Sequence, residues 1–372
     1  MLSEKQRQAL ELYEKLGSVQ KVAEATGVSL RNTTAMLSRA RKNAGLPSQQ
    51  EIGMRKGYEM GKVTTHVQYK NDGGEVKNEW IRQHPTQRDI EQFSEYLEQR
   101  VEGKAPVIKP LKYKDTDLSV WLPIGDPHFG MYAWAKETGE DYDVDIAVSV
   151  HEQAIRKLLS VREMVDCIYI CSLGDLLHAD SRRAETEKSK HLLDVDGRFW
   201  RVIDMTTECL CRAIEFAATK AKKVKVILLG GNHDPHASGH ISRTLAAYYR
   251  NSKQIEINTS PAKHIYEEYG NNLIGLVHGD TSKMPSLPAV MSCDMREAWG
   301  RTRNHYWFTG HIHQQKVFEY PSCVVESFNS LTAKDAYAAE YGYRSRRQMT
   351  SIVIHKEHGE IERGMVRPEH FL

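Results

Sequence analysis

The chain has 372 residues, enough for two or three domains, and 40% of them are hydrophobic, enough for at least one sizeable core. No apolar run approaches the roughly 18 residues that span a bilayer, and Met1-Leu2-Ser3-Glu4-Lys5 leads into charged sequence rather than a secretory leader, so the reading is cytoplasmic with no membrane partner. The net charge of +2 hides an asymmetry: residues 1–50 carry eight Lys/Arg against four Glu, whereas the sequence from 116 onward is slightly acidic, as suits a domain that collects cations. The six cysteines (Cys167, Cys171, Cys209, Cys211, Cys293 and Cys323) lack Cys-x-x-Cys zinc spacing and are expected to be free thiols, mostly buried.

Residues 4 to 43 divide by apolar spacing into three short amphipathic helices. Leu10, Leu12, Tyr13 and Leu16 mark the first, Val19, Val22 and Ala23 the second, and Leu30, Ala35, Met36 and Leu37 the third. Ser18 and Ser29 are credible N-caps, and Gly17 and Gly27 end the first two helices. The run Val22-Ala23-Glu24-Ala25-Thr26-Gly27-Val28-Ser29 has the small residue, turn glycine and apolar wedge that a helix-turn-helix needs. It resembles the helix-turn-helix of sigma-factor and response-regulator DNA-binding domains. That resemblance implies a third helix in the major groove, with Arg31, Asn32 and Thr33 near base edges and Arg39, Arg41 and Lys42 on phosphates. The competing reading of the same forty residues is a small docking module with a solvated basic face. The domain boundary is expected near 46.

From 47 to 115 the sequence reads as a linker carrying secondary structure. Pro47-Ser48-Gln49-Gln50 is linker-like, and alternation on either side of Asn71-Asp72-Gly73-Gly74 predicts a β-hairpin. A helix is expected at about 86 to 101, with Ile90, Phe93, Tyr96, Leu97 and Val101 on one face.

A domain at 116–372 follows, with α/β character. Leu118 to Ile124, Cys167 to Leu173, Val224 to Leu229 and Leu273 to Val277 are short apolar runs that read as buried strands, with helices between them at roughly 143 to 163 and 198 to 221. Tyr306 to Thr309, Lys316 to Tyr320, Cys323 to Glu326 and Thr350 to His355 read as a second sheet, which gives two facing sheets flanked by helices. Polar clusters stand close after the strands: Asp126-Pro-His128, Gly174-Asp175-Leu-Leu-His178, Gly230-Gly231-Asn232-His233-Asp234, His278-Gly-Asp280 and Gly310-His311-Ile-His313. Carboxyl edges of strands are where α/β sheets put their sites.

These clusters resemble those of the calcineurin-like metallophosphoesterase superfamily, over residues 118 to 357. The resemblance implies a two-sheet sandwich and two divalent ions. One would be held by Asp126, His128, Asp175 and His313, the other by Asp175, Asn232, His278 and His311, with Asp175 bridging. Neutral imidazoles suit Mn²⁺, Fe²⁺ or Zn²⁺ better than Mg²⁺ or Ca²⁺, and Mn²⁺ is the expected ion, with Fe²⁺, Zn²⁺ or Mg²⁺ as alternatives. Two such ions lower the pKa of a shared water, giving a bridging hydroxide for in-line attack on phosphorus. His233 matches the family's histidine at the scissile phosphate, a candidate to protonate the leaving oxygen. Asp234 and Asp280 are assigned to orienting imidazoles or stabilising turns. The remaining histidines, His151 among them, are expected to be surface or supporting groups.

Gly174-Asp175-Leu176-Leu177-His178 is further similar to the Gly-Asp-Leu-Phe-His segment of SbcD-type DNA repair nucleases, which implies that His178 assists at a phosphodiester. Together with the helix-turn-helix, this makes a DNA phosphodiesterase the expected activity and DNA the expected partner. The short stretch after His313 argues against the ATPase-docking segment of those nucleases, and a homodimer is compatible with the sequence. A helix-turn-helix ahead of such a domain also looks like phosphoesterases of bacteriophages and prophages, which would work in a bacterial host cytoplasm. Two other readings stand beside this one: a nucleotide or small-phosphoester hydrolase, and a DNA-binding regulator with a vestigial metal domain.

Overall fold

The computed structural model of the chain describes residues 4–16, 18–43, 58–70, 76–85, 105–106, 116–161, 164–186 and 190–371. It divides into two compact units, Met1–Leu97 and Glu98–Leu372.

In the first unit, helices α1 (Glu4–Leu16), α2 (Val19–Thr26) and α3 (Leu30–Asn43) enclose a small core of Ala9, Leu10, Val22, Leu37 and Ala40. Ser18 caps α2 by accepting from the Lys21 N–H at 3.4 Å, and Gly27 ends it at φ 69°, a left-handed conformation that glycine adopts without strain. The buried stripe of α3 is Thr33, Leu37 and Ala40, so Leu30 and Ala35, read from the sequence as apolar-face residues, point to solvent instead. Thr33 is fully buried and its hydroxyl donates to the Val28 and Ser29 carbonyls, which removes it from the expected set of base-contacting residues. A threonine can lie on the buried face of a helix because that backbone bond satisfies its hydroxyl. Val28, the expected wedge, is 37% exposed. Strands β1 (Tyr58–Lys70) and β2 (Val76–Pro85) pair antiparallel from Lys70↔Val76 to Tyr58↔Pro85, the expected hairpin about residues 71–75. The helix expected at 86 to 101 lies outside the described residues.

The second unit has four layers. Its first sheet contains β3 (Leu118–Ile124), β4 (Val165–Ser172), β5 (Ala221–Leu228), β6 (Ile255–Asn258), β12 (Met349–His355) and β13 (Gly359–Val366), in the order β13-β12-β3-β4-β5-β6. The run β3-β4-β5-β6 is parallel, and β12 closes antiparallel on β3 through Ile352↔Trp121. The second sheet contains β7 (Ile265–Tyr269), β8 (Asn272–Val277), β9 (Asn304–Thr309), β10 (Lys316–Tyr320) and β11 (Cys323–Ser327), in the order β10-β11-β9-β8-β7 with β8, β9 and β11 parallel.

Two strands therefore lie on the other side of the sandwich from where the sequence put them. The 273–277 run belongs to the second sheet, and the 350–355 run pairs with β3 in the first. Both are continuously buried, so neither shows an alternation that names its neighbour.

Alternation along the central strands sorts the core into layers. Trp121, Tyr169, Cys171, Ile227 and Ile352 face Ile274, Leu276 and Phe308 between the sheets, with Trp121 stacked on Tyr169 at 3.7 Å. Val120, Leu122, Ile168, Ile170, Val224 and Val226 point the other way, against α5 (Val144–Ser160), α6 (Phe199–Ala218) and α7 (Ala237–Tyr249). Outside the second sheet, Trp307 and Val325 pack on α8 (Leu287–Asp294) and α9 (Arg296–Arg301). Two short helices, α4 (Ala135–Thr138) and α10 (Ala336–Glu340), lie in the connections. Among the described residues all six cysteines are free, as expected, and no helix is long and apolar enough to cross a membrane.

Candidate metal centre

Five loops converge at one end of the sandwich, each leaving the carboxyl end of a strand. Those after β3, β4 and β5 come from the first sheet and those after β8 and β9 from the second. They bring Asp126, His128, Asp175, Asn232, His278, His311 and His313 together, with His178 and His233 beside them. Potential ligand atoms within 4.8 Å of one another occur in Asp126-His128-His313 and in Asp175-His278-His311. Each trio falls within one of the two expected ligand sets. A third trio, His128-His178-His233, meets the same distance and places both candidate catalytic histidines against the first ligand group.

The backbone is bent to make this convergence. Asp126, His128, Asp175, His311 and His313 all have positive φ, between 42° and 69°, and they are five of the eight non-glycine residues so recorded among the described residues. Such conformations cost about 1–3 kcal/mol each and persist only where surrounding contacts over-determine them. Those contacts are present. The Asp126 carbonyl accepts from the Ser330 and Thr332 hydroxyls at 2.6 and 2.9 Å, and its carboxylate accepts from the His311 N–H at 2.9 Å. His128 N–H donates to the Asp175 carbonyl at 2.9 Å, and the Asp175 carboxylate accepts from the His233 N–H at 2.8 Å.

Glycines allow the close approach. A Cβ on Gly231 would stand 2.0 Å from Asp175 Oδ1, and one on Gly174, at φ 101°, would stand 2.4 Å from His278 Nδ1. The motif glycines therefore leave space that ligand side chains fill.

Ring orientation fits cation binding. His278 Nδ1–H donates to the Leu173 carbonyl at 2.8 Å, which turns Nε2 toward Asn232 Oδ1 at 3.0 Å and Asp175 Oδ2 at 3.2 Å. A ring nitrogen fixed by a carbonyl leaves the other free to ligate. His128 Nε2 and His313 Nε2 face each other at 3.2 Å, with Asp126 Oδ1 3.6 Å from the latter. Nitrogens and carboxylate oxygens crowded about one point in a buried site form a donor set suited to a divalent transition metal. Burial, reinforced by the neighbouring His233, pushes the His128 pKa well below its usual value and keeps the ring neutral, the state that coordinates. At His278 burial also pulls downward, but the Asp175 carboxylate overrides it and lifts the pKa to about 10, so a cation bound there would have to displace the Nε2 proton. Burial likewise works against the Asp175 charge, yet its bond to His278 and the surrounding imidazoles hold its pKa far below the usual range.

His233 Nδ1–H donates to the His178 carbonyl at 2.8 Å. The His178 ring, 2% exposed, stacks against His233 at 5.2 Å, and its Nδ1 lies 3.3 Å from His128 Nδ1. Among the described residues, Asp234 makes no hydrogen bond or ion pair with an imidazole. It accepts from the Gly231 and Leu177 N–H groups at 3.0 Å and from the Ser238 hydroxyl, tying the β5 loop to the β4 loop. Burial, with Asp175 nearby, raises its pKa to about 7.

The centre opens into a pocket of about 550 Å³. Part of its wall comes from residues after β11, including Lys334, Tyr337, Tyr343 and Arg346, which sequence reasoning missed. Those residues follow no strand-end cluster or glycine signal, so only folding brings them to the centre.

No family model and no curated protein matches the chain. Among solved structures, it is similar to the phosphoesterase YfcE of E. coli at 14% identity, over 66% of this chain and 98% of that one, with a TM-score of 0.32. Vps29 complexed with Zn²⁺ from Entamoeba histolytica aligns at 12% identity over 66% and 98%, with a TM-score of 0.28. An uncharacterized protein of Streptococcus pneumoniae, described as a predicted phosphoesterase, aligns at 8% over 67% and 97%, with a TM-score of 0.27. At these scores the likenesses add nothing to the geometry.

Proposed function

We propose that this chain is a metal-dependent phosphodiesterase that cleaves DNA at a dinuclear centre. The observation that carries the reading is the convergence of seven residues with oxygen and nitrogen donors from both sheets, five of them on strained backbone, with His128, Asp175, Asn232, His311 and His313 lining an adjoining pocket. Strain concentrated on ligating residue types points to function, since a structural hydrogen-bond cluster needs no such geometry.

Asp126, His128 and His313 would hold one cation; His278, His311 and Asn232 the other, with Asp175 shared between them. Two bound divalent ions would supply an activated water and offset charge on the phosphoryl oxygens, and Mn²⁺ suits this mixture of imidazole and carboxylate. With its Nδ1–H held by the His178 carbonyl, His233 keeps Nε2 as the site that takes up a proton and returns it to the leaving oxygen. His178 acts through His233 and His128, as a positioning residue. In the first unit, Arg31, Asn32 and Arg39 are exposed along α3 and support the reading of a duplex-binding helix. The side chains of Arg41 and Lys42 lie outside the described residues.

The test is turnover by the purified chain with Mn²⁺ on single- and double-stranded DNA, mononucleotides and bis(4-nitrophenyl) phosphate. DNA and the small diester should be cleaved, EDTA should abolish both activities, and Asp175→Asn should lower both by roughly 1,000-fold or more, the scale on which removing one transition-state charge stabiliser acts. Turnover of monoesters or mononucleotides alone would overturn the nuclease reading in favour of a small-phosphoester hydrolase.

A further inference from the structure

One side of the metal pocket is built from α10 and the turn after it, and it presents aromatic rings to solvent. Tyr337, Tyr341 and Tyr343 are 55%, 62% and 51% exposed. The Tyr337 ring lies 4.5 Å from that of Tyr341 and 6.3 Å from that of Tyr343, centroid to centroid. Tyr337 and Tyr343 line the pocket that also contains His128, Asp175 and His233.

The backbone beneath the rings is fixed. Asp335 caps α10 by accepting from the Ala338 N–H at 2.7 Å, Gly342 turns the chain at φ 76°, and the Tyr343 N–H donates to the Ala338 carbonyl at 2.9 Å. Arg344 closes the turn on the Ala338 and Ala339 carbonyls, both at 3.2 Å. Three large rings held in place yet left half in water add little to the core; their faces are available to a ligand.

The cations around them fit the same ligand. Lys316, Lys334 and Arg346 line the pocket, and among the described residues none of the three makes an ion pair. Arg347, by contrast, is committed to Glu140 and the Leu331 carbonyl. The aromatic surface continues beyond the pocket, since Ala336 on α10 shares a smaller cleft with Tyr132 and Trp134, which are 46% and 49% exposed.

We infer that the Tyr337-Tyr341-Tyr343 cluster, with Lys316, Lys334 and Arg346, is a stacking platform that receives unpaired bases of single-stranded nucleic acid and leads the backbone to the metal centre. Ring faces stack on any base, whereas a duplex hides its base faces in its own stack, so a wall of tyrosines selects single strands. The inference rests on the phosphodiesterase reading and narrows its substrate.

The test uses the full chain with fluorescein-labelled 12-nucleotide DNA and RNA strands and a matched duplex. Binding is read in EDTA by anisotropy, and turnover with Mn²⁺ is read against bis(4-nitrophenyl) phosphate. Tyr337→Ala/Tyr343→Ala should weaken single-strand binding roughly tenfold for each ring removed, and lower the ratio of oligonucleotide to small-diester kcat/KM by a similar factor. Tyr337→Phe/Tyr343→Phe should restore both, because stacking needs the ring and not the hydroxyl. The DNA and RNA arms name the strand the platform receives. Unchanged single-strand affinity in the alanine variant would overturn the inference and leave the rings to a protein partner, as would equal losses on duplex and single strand. Failure of the wild-type chain to hydrolyse the small diester would instead strike the phosphodiesterase reading, while the binding arm would still decide the platform.

Discussion

At the scale of single residues, this chain accepts backbone strain and close contact at its ligands and satisfies polar groups around them. Gly231 shows how little tolerance remains. A methyl group there would meet Asp175 Oδ1 at 2.0 Å and the Asp175 backbone nitrogen at 2.4 Å. Gly231→Ala is therefore expected to displace the shared carboxylate, with bound metal falling below two ions per chain by elemental analysis while the far-UV circular dichroism stays near wild type. A full metal complement in that variant would contradict the shared role of Asp175.

His151, expected at the surface or in a supporting role, is instead 2% exposed on the buried face of α5, with its ring 4.9 Å from that of Phe129. Its Nδ1–H donates to the Ala147 carbonyl at 2.8 Å, and burial lowers its pKa to about 4. The folded chain thus keeps this ring neutral, while the unfolded chain protonates it near pH 6.5. Its contribution is neutral above about pH 6.5 and increasingly destabilising as pH falls toward 4, reaching about 3 kcal/mol. In His151→Leu, urea denaturation between pH 7 and pH 5 should show a smaller loss of stability than in the wild type. Parallel curves would mean that His151 is not the group responsible.

Among the elements, the extents of the long helices were legible. Asp143 begins α5 by accepting from the Ile146 N–H at 2.8 Å, and the helix lies at Val144–Ser160 against an expected 143 to 163. Asp143→Ala should lower stability by about 1 kcal/mol, seen as a shift in urea midpoint with unchanged slope. Faces were harder to read than ends. On α3 the buried positions follow Thr33, Leu37 and Ala40, a stripe that includes a polar residue and leaves Leu30 outside. Hydrophobicity alone therefore found Leu37 and Met36 but misplaced Leu30 and Ala35 and missed Thr33.

Across the whole molecule, the metal centre belongs to neither sheet. Asp126, His128, Asp175 and Asn232 leave the first sheet, and His278, His311 and His313 leave the second, so the ligand set depends on the sandwich staying closed. A chain lacking residues 1–46 should keep bis(4-nitrophenyl) phosphate turnover, bind duplex DNA more weakly and lose part of the salt dependence of that binding, because fewer phosphate contacts release fewer counterions. Unchanged duplex affinity and salt slope would make the three helices a docking module.

The sequence by itself determined the ligand candidates and their order. Each motif is local: a strand end, a glycine that admits a neighbour, and a carboxylate, amide or imidazole immediately beside it. It also determined most of the central strands, the hairpin about residues 71–74 and the two long helices, through apolar runs and their alternation. Tertiary structure alone decided that β8 joins the second sheet and β12 the first, because continuously apolar strands carry no local mark of their partner. It also decided that Thr33 and His151 are buried, since a backbone bond within a helix can satisfy one polar group on an apolar face. The tyrosine wall beside the candidate metal centre came from the same source: residues 334–346 share a pocket with His128 and Asp175 only in the folded chain, a proximity between distant segments that no spacing along the chain records.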